Sequence, residues 1–181
     1  MPASEHSGPA PGGHRRYERR LWKAWLISPE RLWLLSIALH RGGHGRLGFW
    51  VKQLNTLLYR NSLPPGARVS PDIRLGHNSF GIMINPMVQI GSGVKIWHNV
   101  TITTRSRPGS SARVVIEDGV MIGAGAVVVA PPGRELRIGG GARIGAGVVV
   151  TRDVPAGATV VCAPPRVLSK EQATGVEDAI G

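Results

Sequence analysis

From Leu63 to Val150 an aliphatic residue returns at every sixth position, in four phased blocks. The series runs Leu63, Val69 and Leu75, then Ile84, Ile90, Ile96 and Ile102, then Ile116, Ile122 and Val128, then Ile138, Ile144 and Val150. A helix facing a core repeats its apolar positions every three or four residues and a half-buried strand every second one, so a period of six belongs to neither. Repetition at a short fixed period marks a solenoid. If each hexad forms a short strand and a turn, three hexads close one triangular coil and the sixth-position side chains stack inside it. The corners must then be small. VQIGSG, VMIGAG and ARIGAG place Gly directly after the aliphatic residue, where tight clearance or a positive φ is required. The pattern predicts a mainly β chain, a parallel β-helix of hexapeptide repeats.

Three breaks in phase mark the places where function is expected. The step from Leu75 to Ile84 carries three extra residues in a stretch that holds His77. The step from Ile102 to Ile116 extrudes a loop around Arg105, Arg107, Pro108, Gly109 and Arg113. The step from Val128 to Ile138 adds a bulge at Pro131-Pro132-Gly133-Arg134.

Ahead of the solenoid the apolar spacing becomes helical. Ser28-Pro29-Glu30 reads as a helix start, with Ser28 as N-cap, Pro29 in the first turn and Glu30 at the positive end. That helix should run to about His40 and stop at Gly42-Gly43. A second follows, with Leu47, Trp50, Val51, Leu54, Leu57 and Leu58 on one face, and Pro64-Pro65 is expected to end it. Lys23, Glu30 and Arg31 interrupt the first apolar stretch, so it falls short of the ~20 clean residues a membrane span needs. A basic, Trp-containing amphipathic helix suits a membrane surface. Packing against the solenoid or a neighbouring subunit is the preferred alternative. The expected organisation is a disordered basic arm over 1–20, a helical segment over 21–60, the β-helix over 61–160 and a tail over 161–181.

Charge and composition narrow the partners. Among 181 residues, 22 Lys and Arg stand against 11 Asp and Glu, a net charge of +11. The arginines are scattered over loops, and two Phe with two Tyr offer little for stacking bases, so nucleic acid is not expected. Anionic small molecules or an acidic acyl-carrier protein suit the charge better. The single cysteine, Cys162, leaves no disulfide framework and no cysteine-rich zinc site. It is expected to be partly buried near the solenoid's end, in a chain suited to a reducing cytoplasm.

Only two histidines, His77 and His98, lie in the repeats, too few for a three-histidine metal site. No metal is expected. His77 opens an inserted turn among small and polar neighbours. Its imidazole there could take a proton from an attacking alcohol or amine, or simply hydrogen-bond the turn.

The stretch from about Leu39 to Leu168 resembles the serine acetyltransferase-like branch of hexapeptide-repeat acyltransferases. The segments that carry the resemblance are LGHNSFGIMINPMVQIGSGVKI, VTI with its extruded loop, VVIEDGVMIGAGAVVV and ARIGAGVVVTRDVPAGATVV followed by APPRVL. The resemblance implies a left-handed β-helix and a homotrimer with active sites between adjacent prisms. Acetyl-CoA would be the co-substrate, its pantetheine lying against Gly123, Ala124, Gly125, Gly145 and Ala146. Arg143, Arg152 and Arg166 would lie near its phosphates. His77 matches the family's catalytic base, which deprotonates an acceptor hydroxyl for direct attack on the thioester.

Two departures qualify the acceptor. The family's aspartate, fifteen residues before the histidine, is Ser62 here, and its second histidine aligns with Arg113. Serine cannot balance an imidazolium, and Asp72 would serve only if its coil edge turned toward the site. His98 aligns with a position usually held by glutamine and reads as structural. Arg113, Arg107 and Arg105 would suit a carboxylate or phosphate on the acceptor, or stand as solvated loop charges. The expected activity is O-acyl transfer to serine or a related amino acid. The alternatives are N- or O-acetylation of a sugar or biosynthetic intermediate, or a non-catalytic trimeric scaffold.

Overall fold

A computed structural model describes residues 28–106 and 112–163. The arm expected over 1–20, Arg107, Arg166 and all but the first three residues of the expected tail lie outside the described residues. Within them, short strands wind into three parallel sheets. The first sheet holds β1 (Arg68–Val69), β4 (Val88–Ile90), β7 (Arg113–Ile116) and β10 (Glu135–Ile138). The second holds β2 (Arg74–Leu75), β5 (Lys95–Ile96), β8 (Met121–Ile122), β11 (Arg143–Ile144) and β13 (Thr159–Val160). The third holds β3 (Met83–Ile84), β6 (Thr101–Thr104), β9 (Val127–Ala130) and β12 (Val149–Val150).

Register follows the period of six through every interruption. Ile90, Ile116 and Ile138 pair in one column, Leu75, Ile96, Ile122 and Ile144 in a second, and Ile84, Ile102, Val128 and Val150 in the third. The described inserted residues at 76–79 and 131–134 fall at corners between sheets, and each column stays continuous. A second interior row, not anticipated from the period, sits two positions before each column residue. Val88, Val94, Val100, Val114, Val120 and Leu136 in that row are almost wholly buried. The prism is therefore filled by two apolar side chains per strand, each contributing roughly 1.5–3 kcal/mol on burial.

Two helices close one end of this core. Helix α1 (Pro29–Arg41) starts as its sequence predicts, with the Ser28 Oγ accepting from the Arg31 N–H at 3.3 Å. Trp33 and Ile37 on its inner face join the solenoid core, and the indole N–H of Trp33 donates to the Pro64 carbonyl at 2.9 Å. Helix α2 (Gly45–Tyr59) packs on α1. It ends at Arg60, in the left-handed region at φ 54°, before Pro64-Pro65 is reached. Its apolar face does not pack on the solenoid, and Leu47, Trp50, Leu54, Leu57 and Leu58 are exposed in the single chain. Cys162, expected to be partly buried, is exposed. No helix among the described residues is long and apolar enough to cross a membrane.

Candidate active site

The corner between the second and third sheets carries the histidines. Its uppermost coil is the inserted turn Gly76–Ser79, in which His77, Asn78 and Ser79 lie in succession in the left-handed region at φ 50°, 54° and 58°. L-residues visit that region singly, at roughly 1–2 kcal/mol each, so three together need outside support. Buried side chains supply it. The Asn61 amide donates to the Ser79 Oγ at 2.7 Å and to the Asn55 Oδ1 at 3.0 Å, and the Asn55 amide donates to the Pro29 carbonyl at 2.8 Å. Glu30, at the head of α1, accepts from the Leu75 N–H at 3.0 Å, just before the turn. The helix pair is thus tied to the histidine turn at several points.

The turn leaves His77 exposed. Directly beneath, in the next coil, lies His98. The two rings meet edge to face, with centroids 4.6 Å apart at 86°. The His98 Nδ1 is buried and has no hydrogen-bond partner. Among the described residues no carboxylate pairs with His77. Asp72 belongs to a different corner, where its carboxylate accepts from the Ser70 and Ser92 hydroxyls at 2.7 Å and from the Gly93 N–H at 2.8 Å. Those bonds, the one from Ser70 foremost, hold its pKa down at about 2. Ser62 pairs by its backbone with the strand around Met83 and faces a shallow cavity of 260 Å³ on the third sheet.

Below the histidines the same corner narrows to small residues. Gly123, Ala124 and Gly125 form one coil and Gly145, Ala146 and Gly147 the next, linked by the Gly125 N–H to the His98 carbonyl at 3.0 Å and the Gly147 N–H to the Ala124 carbonyl at 2.9 Å. Coil stacking itself requires Gly123, because a Cβ there would stand 2.6 Å from the Ala146 nitrogen. Beside this wall, Arg74, Lys95 and Arg143 fall in register with Met121 across the second sheet. All three cations are exposed, and none pairs with a carboxylate among the described residues.

Arg113 lies away from this wall, on the first sheet, where its guanidinium meets Glu135 at 2.5 Å. Glu135 also holds Arg137, which reaches Glu117 at 2.8 Å. The bond from Arg113 is the main cause that lowers the Glu135 pKa. A wide concavity of 840 Å³ lies on that first-sheet face, among Arg41, Arg68, Gln89, Glu117 and Asp118, and does not include His77. Among the described residues no group of three His, Cys, Asp or Glu side chains gathers as metal ligands.

A parallel solenoid of six-residue steps, with a histidine raised on an inserted corner above a wall of glycine and alanine, defines a hexapeptide-repeat β-solenoid. No family model matches the chain. Serine acetyltransferase of Helicobacter pylori strain J99 is 28% identical over 158 residues, 85% of this chain and 90% of that protein. Serine acetyltransferase of Neisseria gonorrhoeae in complex with serine superposes with a TM-score of 0.64 at 29% identity, covering 77% of this chain and 55% of that one. The coenzyme A complex of the Brucella abortus strain S19 enzyme gives a TM-score of 0.63 at 25% identity, covering 75% and 52%. Over most of its length the chain is thus similar to serine acetyltransferases. It spans about half the length of most of the curated relatives it matches.

Of the residues singled out in the sequence, His77 and the small residues come together along one edge. Ser62 lies on the adjoining sheet face and Arg113 on another. Sequence reasoning missed the contact between His77 and His98, although the columns contain it. Leu75 pairs with Ile96, so the residue two places after each must also stack.

Proposed function

We propose that this chain is an acetyl-CoA-dependent O-acyltransferase in which His77 is the general base for direct transfer to a hydroxyl of a small polar acceptor, with serine or a related amino acid first. The carrying observation is the placement of His77, exposed at the head of a wall of small residues along which an extended thioester can lie. The imidazole takes the hydroxyl proton as the oxygen attacks the acetyl carbonyl. Backbone N–H groups stabilise the oxyanion. The carbon–sulfur bond then breaks, and the coenzyme thiolate leaves with the proton from the imidazolium. No acyl-enzyme forms. His98, edge-on beneath the ring, fixes its orientation.

The bound coenzyme of the Brucella relative supports acetyl-CoA as donor. Its pantetheine would run past Gly123, Ala124, Gly125, Gly145 and Ala146, with its phosphates toward the Arg74, Lys95 and Arg143 ladder. Met83 and Val149, exposed on the third sheet beside the histidine corner, supply an apolar face for a neighbouring prism in a homotrimer. The serine complex of the Neisseria relative supports an amino-acid acceptor. Ser62 in place of the aspartate, and Arg113 engaged by Glu135, favour as second reading the hydroxyl of a sugar or biosynthetic intermediate.

The test is release of coenzyme thiol from acetyl-CoA with L-serine, then with a panel of amino acids, aminosugars and hydroxy acids. Acceptor-dependent release is expected to fall by about 10²–10⁴ in His77→Ala, the span of general-base catalysis. Absence of acetyl-CoA binding would leave the trimeric scaffold as the reading.

A further inference from the structure

Seven of the eleven large apolar side chains exposed in the described structure lie on the helix pair. On α2, Leu47, Trp50, Leu54, Leu57 and Leu58 recur at helical spacing, and are between 45% and 76% exposed. Phe49 packs its ring edge-on against Trp50, with centroids 5.9 Å apart. The face of α2 that meets α1 is a different one, marked by its buried residues Gly48 and Asn55. The stripe is therefore a feature of the outer surface, and a contiguous apolar patch of this kind signals an interaction site.

Charge identifies the occupant. Between Ser28 and Arg60 stand five cations, Arg31, Arg41, Arg46, Lys52 and Arg60, against one acid, Glu30. The Glu30 carboxylate is turned inward to the Leu75 N–H, and Arg41 lines the first-sheet concavity, so the remaining cations Arg31, Arg46, Lys52 and Arg60 leave the helix pair positive outside that concavity. Two copies meeting through α2 would bring together two helices that each carry Arg46 and Lys52 and no acid between Gly45 and Tyr59. An anionic lipid surface meets both demands, taking the Leu and Trp side chains between its headgroups and the cations at its phosphates.

We propose that the outer face of α2 docks this protein on anionic membrane surfaces. The helix lies in the interface and does not span it, and the solenoid with His77 stays in water. The inference stands on the helix pair alone and holds whatever acceptor the histidine serves.

Flotation of the full chain with vesicles tests it. Vesicles containing phosphatidylglycerol should carry the protein up with at least about tenfold higher affinity than phosphatidylcholine vesicles, and added salt should weaken the binding. The double variant Leu54→Glu/Leu57→Glu, altered only at exposed positions, should lose flotation while keeping its circular dichroism and its native mass by light scattering. Arg46→Glu/Lys52→Glu should lose only the preference for anionic lipid. Failure of the wild-type chain to float overturns the proposal. If the leucine variant then also shows a smaller assembly mass, the face is a contact between copies. If its mass is unchanged and deletion of residues 1–27 leads to vesicle binding, the chain's own N-terminal segment covers the face.

Discussion

The histidine turn and the two coils beneath it share one edge of the prism and are built in opposite ways. At the top, three consecutive residues with side chains hold left-handed dihedrals, and buried amides and a carboxylate from outside the coil pin them there. Lower down, Gly125 and Gly147 take the same kind of dihedral, at φ 68° and 67°, and the centre of each turn carries only an alanine, Ala124 or Ala146. The upper corner keeps its side chains and needs a scaffold to hold them. The lower corners drop their side chains and need none. A base must project and be oriented, whereas a surface that receives a flexible chain must be smooth, so the contrast matches the proposed division between catalysis and coenzyme binding.

Removing the scaffold should break the contrast most severely. Asn61→Leu strands the Asn55 Oδ1 and the Ser79 Oγ without their shared donor, which should cost about 3 kcal/mol in chemical denaturation. Turnover should fall about tenfold further than the unfolded fraction accounts for, because the turn loses its left-handed geometry. An Asn61→Leu protein as active per folded molecule as wild type would show that His77 needs no such support.

The lower corner should fail for the opposite reason, by gaining a side chain. Gly123→Val would drive a Cβ to 2.6 Å from the Ala146 nitrogen and force two coils apart, at about 2 kcal/mol. Gly125→Ala meets no atom within 4 Å and should cost only about 1 kcal/mol, for its φ of 68°. If the wall receives pantetheine, Gly125→Ala should raise KM for acetyl-CoA more than it lowers kcat. Equal changes in both would argue that the wall serves stacking alone.

His98 joins the two halves of the corner. His98→Ala removes the ring edge that meets His77 and should lower kcat about tenfold, or 1.4 kcal/mol, with KM for acetyl-CoA held. His98→Phe, which restores an aromatic edge, should recover most of the loss if the contact is one of position. Recovery by His98→Gln and not by His98→Phe would instead assign the role to a polar atom.

How far the sequence exposes this contrast depends on what each part repeats. The columns, the three interruptions and the small corners are periodic or break a period, so they can be read by counting. His98 was open to the same counting, since its separation from His77 equals that of Ile96 from Leu75, but its pairing emerges only when columns are followed residue by residue. Asn55, Asn61 and Ser79 follow no period, and their amide chain depends on how the helix pair sits on the first coil. The face of α2 shows the reach of apolar spacing, which marks a sticky side of a helix without saying whether its own solenoid or something outside the chain meets it. The two proline residues at 64 and 65 mislead, because a left-handed Arg60 stops the helix earlier.

The smallest expected effect serves as the control on the other side of the prism. Asp72 has its carboxylate bonded by Ser70, Ser92 and Gly93 at a corner without histidines, and its pKa is lowered from 3.8 to about 2. A carboxylate lowered in the folded state stabilises fully above its unfolded value and loses that contribution as pH falls through its folded value. The melting temperature of wild type should therefore exceed that of Asp72→Asn above about pH 4 and converge with it near pH 2. The difference should be slight, because the group is fully exposed and screened by solvent. Turnover of Asp72→Asn should keep the wild-type pH profile. A displaced profile would mean that Asp72 acts on His77 across the coil, and the division between the two corners would fail.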